Sequence, residues 1–201
     1  MKVVRHTLLI FCMLLIGALA ASKAYSQSIV IKNNLLYDAT LTPNLEAEVK
    51  IGQRQTAGLI LGFNPFPLKD EFSYDGDNKK MRHLLVAPMW RYWFCEAFAG
   101  HFVSCNVAYV HYNVSNKKFP FGLFKGVDKE RRQGDLVAVG ASYGYSWILS
   151  PRWSLEAEAG ADVGYAWSKR YKYHHCGMFI GNENHLVVLP KVGVNIIYNV
   201  K

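Results

Sequence analysis

The chain has 201 residues, of which 51% are hydrophobic and 14% aromatic, with 23 Lys and Arg against 15 Asp and Glu. That length suits one domain and hardly more. The formal charge of +8 fits contact with acidic surfaces, and no stretch reaches the roughly 20 apolar residues that a membrane-spanning helix requires.

The first residues predict export. Lys2 and Arg5 precede an uncharged apolar run over 8–21, then small residues and Lys23. The run is too short to span a bilayer but suits the core of a signal peptide. Cleavage is expected after Ala20 or after Ser26, so 1–26 reads as the leader and 27–201 as one β-barrel domain. Removing Lys2, Arg5 and Lys23 leaves 20 basic and 15 acidic residues, a formal +5. Cys12 lacks the small residues that would precede a lipid anchor. Cys95, Cys105 and Cys176 remain, an odd number that is no disulfide framework, and all three read as free thiols. Export also leaves no role for nucleic acid.

Beyond the leader the pattern has period two. Weak alternation at 29–39 predicts a first strand. At 44–51, Leu45, Ala47, Val49 and Ile51 oppose Glu46, Glu48 and Lys50. Weak alternation returns at 55–63, and at 83–94 Leu84, Val86, Trp90, Tyr92 and Phe94 oppose Ala87, Met89 and Arg91. A fifth strand is expected at 101–112. At 136–147, Val137, Val139, Ala141, Tyr143, Tyr145 and Trp147 oppose Ala138, Gly140, Ser142, Gly144 and Ser146. The clearest case is 153–167, where Trp153, Leu155, Ala157, Ala159, Ala161, Val163, Tyr165 and Trp167 oppose Ser154, Glu156, Glu158, Gly160, Asp162 and Gly164. The eighth, 186–198, sets Leu186, Val188, Val192, Val194, Ile196 and Tyr198 against Lys191, Gly193 and Asn195. Strand side chains alternate between two faces, so each segment has an apolar and a polar side.

Connection lengths sort by end. Links near 52–54, 95–100 and 150–152 are short, whereas 64–81, 113–134 and 168–184 are long, with a shorter turn at Thr42-Pro43-Asn44. Antiparallel strands then place the short links at one end and the long loops at the other, as in outer-membrane barrels. The fold class is therefore all-β: an eight-stranded antiparallel up-and-down transmembrane barrel. Tyr and Trp at both ends of the apolar faces favour lipid on the outside. A lipocalin-like barrel, apolar within, is the alternative.

With lipid outside, the polar face lines a lumen just wide enough for side chains to fill. Its charges are Lys32, Asp38, Glu46, Glu48, Lys50, Arg91, Glu156, Glu158, Asp162 and Lys191, and buried charges must pair. Arg91 is the expected hub, because its planar fork can hold two carboxylates. A structural ion-pair plug is the reading; a proton relay or narrow pore is the alternative.

Several motifs in order resemble a known family. They are Asn33-Asn34-Leu35-Leu36-Tyr37-Asp38-Ala39-Thr40, Thr42-Pro43-Asn44, Arg91-Tyr92-Trp93-Phe94-Cys95 and Gly100-His101-Phe102. Pro120-Phe121-Gly122-Leu123-Phe124, the run 140–147 and Arg152-Trp153-Ser154-Leu155-Glu156 continue the series over nearly the whole mature chain. They resemble a family of small Bacteroidetes outer-membrane barrels, a domain of unknown function often found near fimbrial genes. The resemblance implies outer-membrane localisation, barrel-assembly machinery and lipid as partners, and a link to fimbrial or other envelope proteins. It implies no reaction. Members often carry two nearby cysteines in the last long loop, where this chain has only Cys176. The C-terminal run 191–198 looks like a barrel-assembly signal, set slightly inboard by Asn199-Val200-Lys201.

No nucleophile motif stands out, and His83 and His101 form no obvious catalytic pair, so no catalytic residue or cofactor is expected. His174, His175, Cys176 and His185 read as polar loop residues, because adjacent side chains of an extended segment diverge where zinc needs convergence. The loops also interleave aromatics with cations. Phe121, Phe124, Arg131, Arg132, Arg170, Tyr171 and Tyr173 form a candidate interaction surface for a protein partner or a lipid-linked phosphosugar. The leading expectation is a structural or interaction protein of the outer membrane, accessory to fimbrial assembly or anchoring. Alternatives are a binding or transport barrel and a barrel-type membrane enzyme.

Overall fold

In the computed structural model, which describes residues 28–40, 42–65, 67–69, 79–115, 130–172 and 177–200, the period-two segments become strands. In chain order they are β1 (Ile29–Asn34), the short helix α1 (Leu35–Ala39), β2 (Asn44–Lys50), β3 (Gln55–Asn64), β4 (Pro67–Lys69) and β5 (Lys79–Trp93). There follow β6 (Gly100–Ser115), β7 (Glu130–Ile148), β8 (Trp153–Lys172) and β9 (Phe179–Asn199). The predicted leader, 1–26, lies outside the described residues.

Every neighbour pairs antiparallel. β1 pairs with β2, β2 with β3, β3 with β5, then each strand with the next through β9. β9 pairs back onto β1, Val30 facing Asn199, and this closes a ring of eight. The three-residue β4 continues past the end of β3 along β5. The expected up-and-down topology is the observed one.

Two departures have clear causes. The chain leaves β1 at Asn34 for α1, where an extended run to 39 was expected. The Asn34 side chain caps the turn, accepting from the backbone N–H of Leu36 at 2.9 Å and of Tyr37 at 3.3 Å. Asn44 staples the base of this excursion. Its side chain accepts from the Asn34 N–H at 2.7 Å and donates to the Asn34 carbonyl at 3.0 Å and to Asp38 at 3.0 Å. Local side-chain bonds to backbone thus outcompete the strand ladder. The other departure is length. β7 begins at Glu130 and β8 runs to Lys172, with Glu130 opposite Lys172, so the hairpin extends beyond its apolar stretch.

The faces are sorted inside out relative to a water-soluble barrel. Along β8, Ser154, Glu156, Glu158, Gly164, Ala166 and Ser168 are buried, whereas Trp153, Ala159, Ala161, Val163, Tyr165 and Trp167 are exposed. On β7, Leu136, Ala138, Ser142 and Ser146 point inward, and Val137, Val139, Tyr143 and Trp147 outward. Val139 is 60% exposed, Val192 59% and Leu186 68%. Glycines keep the narrow interior open. An inward Cβ on Gly144 would sit 2.3 Å from the Phe102 ring, and one on Gly140 would overlap the Asp162 carboxylate at 1.4 Å.

Candidate functional site

An aromatic floor seals the lumen at the short-link end. Trp93 and Phe102 are fully buried, with ring centroids 4.8 Å apart, and Phe98 meets Trp93 at 5.9 Å. Phe98 reaches this place from a tight link in which its φ is +71°, and Ser146 donates to its carbonyl at 3.2 Å. The Trp93 indole N–H donates to the Thr56 hydroxyl at 2.9 Å, so the polar tip of the largest buried side chain is satisfied.

On this floor rests the ion-pair network. Arg91 is fully buried and its two terminal nitrogens reach four carboxylates: Glu156 at 3.0 Å, Glu48 at 3.1 Å, Glu46 at 3.2 Å and Glu158 at 3.4 Å. Lys32, also fully buried, lies 2.5 Å from Glu48, 2.9 Å from Glu156 and 3.3 Å from Glu46. Neutral donors add bonds to three of the four carboxylates. Asn195 donates to Glu156 at 2.8 Å, Ser142 to Glu158 at 3.1 Å, and Thr56 to Glu48. The guanidinium stacks on Phe102, 4.6 Å from its centroid. Four strands supply the charges, at inward positions that recur every second residue: Lys32 from β1, Glu46 and Glu48 from β2, Arg91 from β5, Glu156 and Glu158 from β8.

The other predicted lumen charges lie at the edge of this hub or outside it. Lys191 lies 3.5 Å from Glu158 and donates to Asn106 at 3.3 Å, while Asn106 donates to Asp162 at 3.0 Å. These form a second polar layer. Lys50 lies 3.9 Å from Glu96 at the short-link rim, outside the plug. Asp38 is on α1, bonded to Asn44 rather than to any lumen cation.

Beyond Asp162 the lumen turns apolar, which the polar-face reading did not anticipate. Leu85, Ala87, Ala108 and Ala138 pack together, followed by Tyr112, Val114, Leu136, Ala166 and Val187. Around Leu85, Ala108, Ala138 and Val187 both faces of the strand are apolar, so alternation carries no signal there, and at Tyr112 and Val114 it is reversed, with His111 and Asn113 on the outer face.

At the long-loop end Arg132 points inward, 6% exposed, and pairs with Glu183 at 3.1 Å. Arg170 grips Glu130 through two nitrogens at 2.5 and 2.7 Å and reaches Glu183 at 3.4 Å. Arg132 is thereby buried away from the candidate interaction surface, whereas the Arg170 side chain remains 33% exposed. This clamp holds the Glu130 carboxyl below its ordinary range and raises Arg170. Arg131 and Tyr171 do lie on the outer side, stacked at 5.6 Å. Phe121, Phe124 and Tyr173 fall outside the described residues, as do His174, His175 and Cys176. Cys95 and Cys105 are exposed thiols.

Fold and plug together define a class: an eight-stranded antiparallel ring whose interior is charged at one end and whose exterior is apolar. The chain belongs to the family described as Protein of unknown function (DUF3575), whose model matches residues 8–200. No curated protein and no solved structure matches it.

Proposed function

We propose that this protein is an outer-membrane barrel with a structural or interaction role, closed to ion flow and exported by residues 1–26. The observation that carries the reading is the exterior. Valines and leucines stand exposed around the ring between two aromatic bands. Trp147, Trp153 and Tyr198 mark one, and Tyr109, Tyr165 and Trp167 the other. Water-soluble monomers rarely expose contiguous apolar patches above a few hundred Å², whereas a bilayer requires such a band flanked by aromatic girdles. The floor of Trp93 and Phe102 and the plug around Arg91 leave the wall as a scaffold, not a conduit.

An accessory role in fimbrial assembly or anchoring belongs to this proposal through the family resemblance, and outer-membrane lipid and the assembly machinery are its partners. Cell fractionation of the native organism tests localisation. The protein should sediment with outer membranes and lose 1–26. Recovery of full-length chain in the soluble fraction would contradict the proposal. Planar-bilayer recording should show no stepwise conductance, and a steady open channel would refute the plug.

A further inference from the structure

The ring is uneven in height, and this creates a second site. β1 leaves β9 at the pair Asn34–Asn195. Among the described residues, β9 from Val194 back to Phe179 pairs only with β8. On the far side, β2 ends at Asn44 opposite Gly62 of β3. Among the described residues the wall above the β1–β2 hairpin therefore has no strand, and α1 occupies the notch. Behind it lies a cavity of about 190 Å³ whose lining includes Tyr37 of α1, Leu85 of β5, Val114 of β6, Arg132 and Leu136 of β7, and Leu189 of β9.

We propose that this cavity binds an acyl chain, with its carboxyl or ester oxygen held by Arg132. The lining is apolar apart from a few groups, the arrangement typical of small-molecule sites. An apolar cavity of about 150 Å³ in another protein stays dry and admits benzene, so this one has room for the end of a hydrocarbon chain. Arg132 supplies the polar end. It is more than nine-tenths buried, one terminal nitrogen is engaged by Glu183, and among the described residues its Nε–H has no acceptor. A buried donor without a partner is costly, and an acceptor oxygen arriving with the ligand satisfies it. The notch offers a route for a chain from the surrounding lipid. Free fatty acid and lipid ester share this chemistry.

The proposal rests on the barrel folding in lipid, which the same experiment checks separately. Methyl-labelled protein in nanodiscs is titrated with octanoate, methyl octanoate and octylammonium while methyl NMR signals are followed. A dispersed spectrum before titration reports the folded barrel whether or not a ligand binds. Octanoate or methyl octanoate should shift Leu85, Val114, Leu136 and Leu189 and leave the outward Val139 and Val188 unmoved. Preference for the acid points to free fatty acid, and equal binding points to lipid ester. Arg132→Gln should weaken octanoate about tenfold or more, and Leu136→Trp should abolish binding by filling the space. Uniform shifts on outward methyls, no shifts at all, or octylammonium binding as well as octanoate would overturn the proposal.

Discussion

Replacing Arg91 with Met probes the plug most severely. The methionine keeps much of the stem's volume but removes both terminal nitrogens, which together contact four carboxylates at 3.0–3.4 Å. Among the described residues only Lys32 and, at the edge, Lys191 would then face Glu46, Glu48, Glu156 and Glu158. The cluster's formal charge falls from −1 to −2 in a volume closed to water. Breaking a buried pair by removing one partner typically loses about 3–5 kcal/mol, and with four carboxylates stranded the upper half of that range is expected. Such a loss is a large share of a typical unfolding free energy of about 5–15 kcal/mol. Urea unfolding in lipid vesicles, followed by tryptophan fluorescence, measures it. Arg91→Lys should lose less but not nothing, since an ammonium cannot fork across two carboxylates. Adding Glu156→Gln to Arg91→Met should recover part of the loss, a coupling that shows as non-additivity in the double-mutant cycle. A loss below about 1 kcal/mol, or strict additivity, would refute the plug as the source of rigidity at this end.

Other variants test other parts. Gly144→Val should destabilise by about 1–3 kcal/mol, because its Cβ enters the space of the Phe102 ring; a wild-type melting temperature would contradict the close approach. In the protein folded in lipid, Cys95 at the short-link end should react with a water-soluble thiol reagent and Cys105, outward on the β6 wall, should be protected until detergent or denaturant is added; a bridge between them found by mass spectrometry would break the register. The Glu130–Arg170 clamp predicts a pH effect. Because the Glu130 carboxyl is depressed, its contribution is full above the unfolded value of about 4.3 and fades as pH falls through the folded one. The stability difference between wild type and Glu130→Gln should thus be constant above about pH 5 and shrink below about pH 4. A difference independent of pH would remove the ion pair from the account.

The strands were legible wherever one face is polar and the other apolar. Glu156 and Glu158 against Ala157 and Ala159 place β8 without ambiguity, and Arg91 among aromatics marks itself as the hub because an isolated inward cation needs carboxylates. The hidden features lie where that contrast disappears. Leu136 and Ala138 face inward while Val137 and Val139 face outward, so an apolar stretch of lumen reads like any apolar strand. At the hairpin end, Arg131, Arg132 and Gln133 are polar on both faces, so periodicity marks the strand only from 136. Helix α1 depends on Asn34 and Asn44 meeting across the hairpin, a contact that local periodicity does not encode. The inward turn of Arg132 follows only from the extended register of β7, which sets Arg132 opposite Arg170.

Facing is the claim from which the rest descends, and neighbours on β7 test it. Val139 is exposed on the outer wall and Ala138 is 2% exposed within it. A single-cysteine Val139→Cys protein, with Cys95, Cys105 and Cys176 replaced by serine, is labelled with a fluorophore and refolded into vesicles carrying nitroxides on their acyl chains. Strong quenching at position 139, together with an Ala138→Cys protein that folds but resists labelling, is the expected result. A protein that folds without detergent or lipid, whose label at 139 is quenched only by a water-soluble agent, would contradict a membrane-spanning barrel.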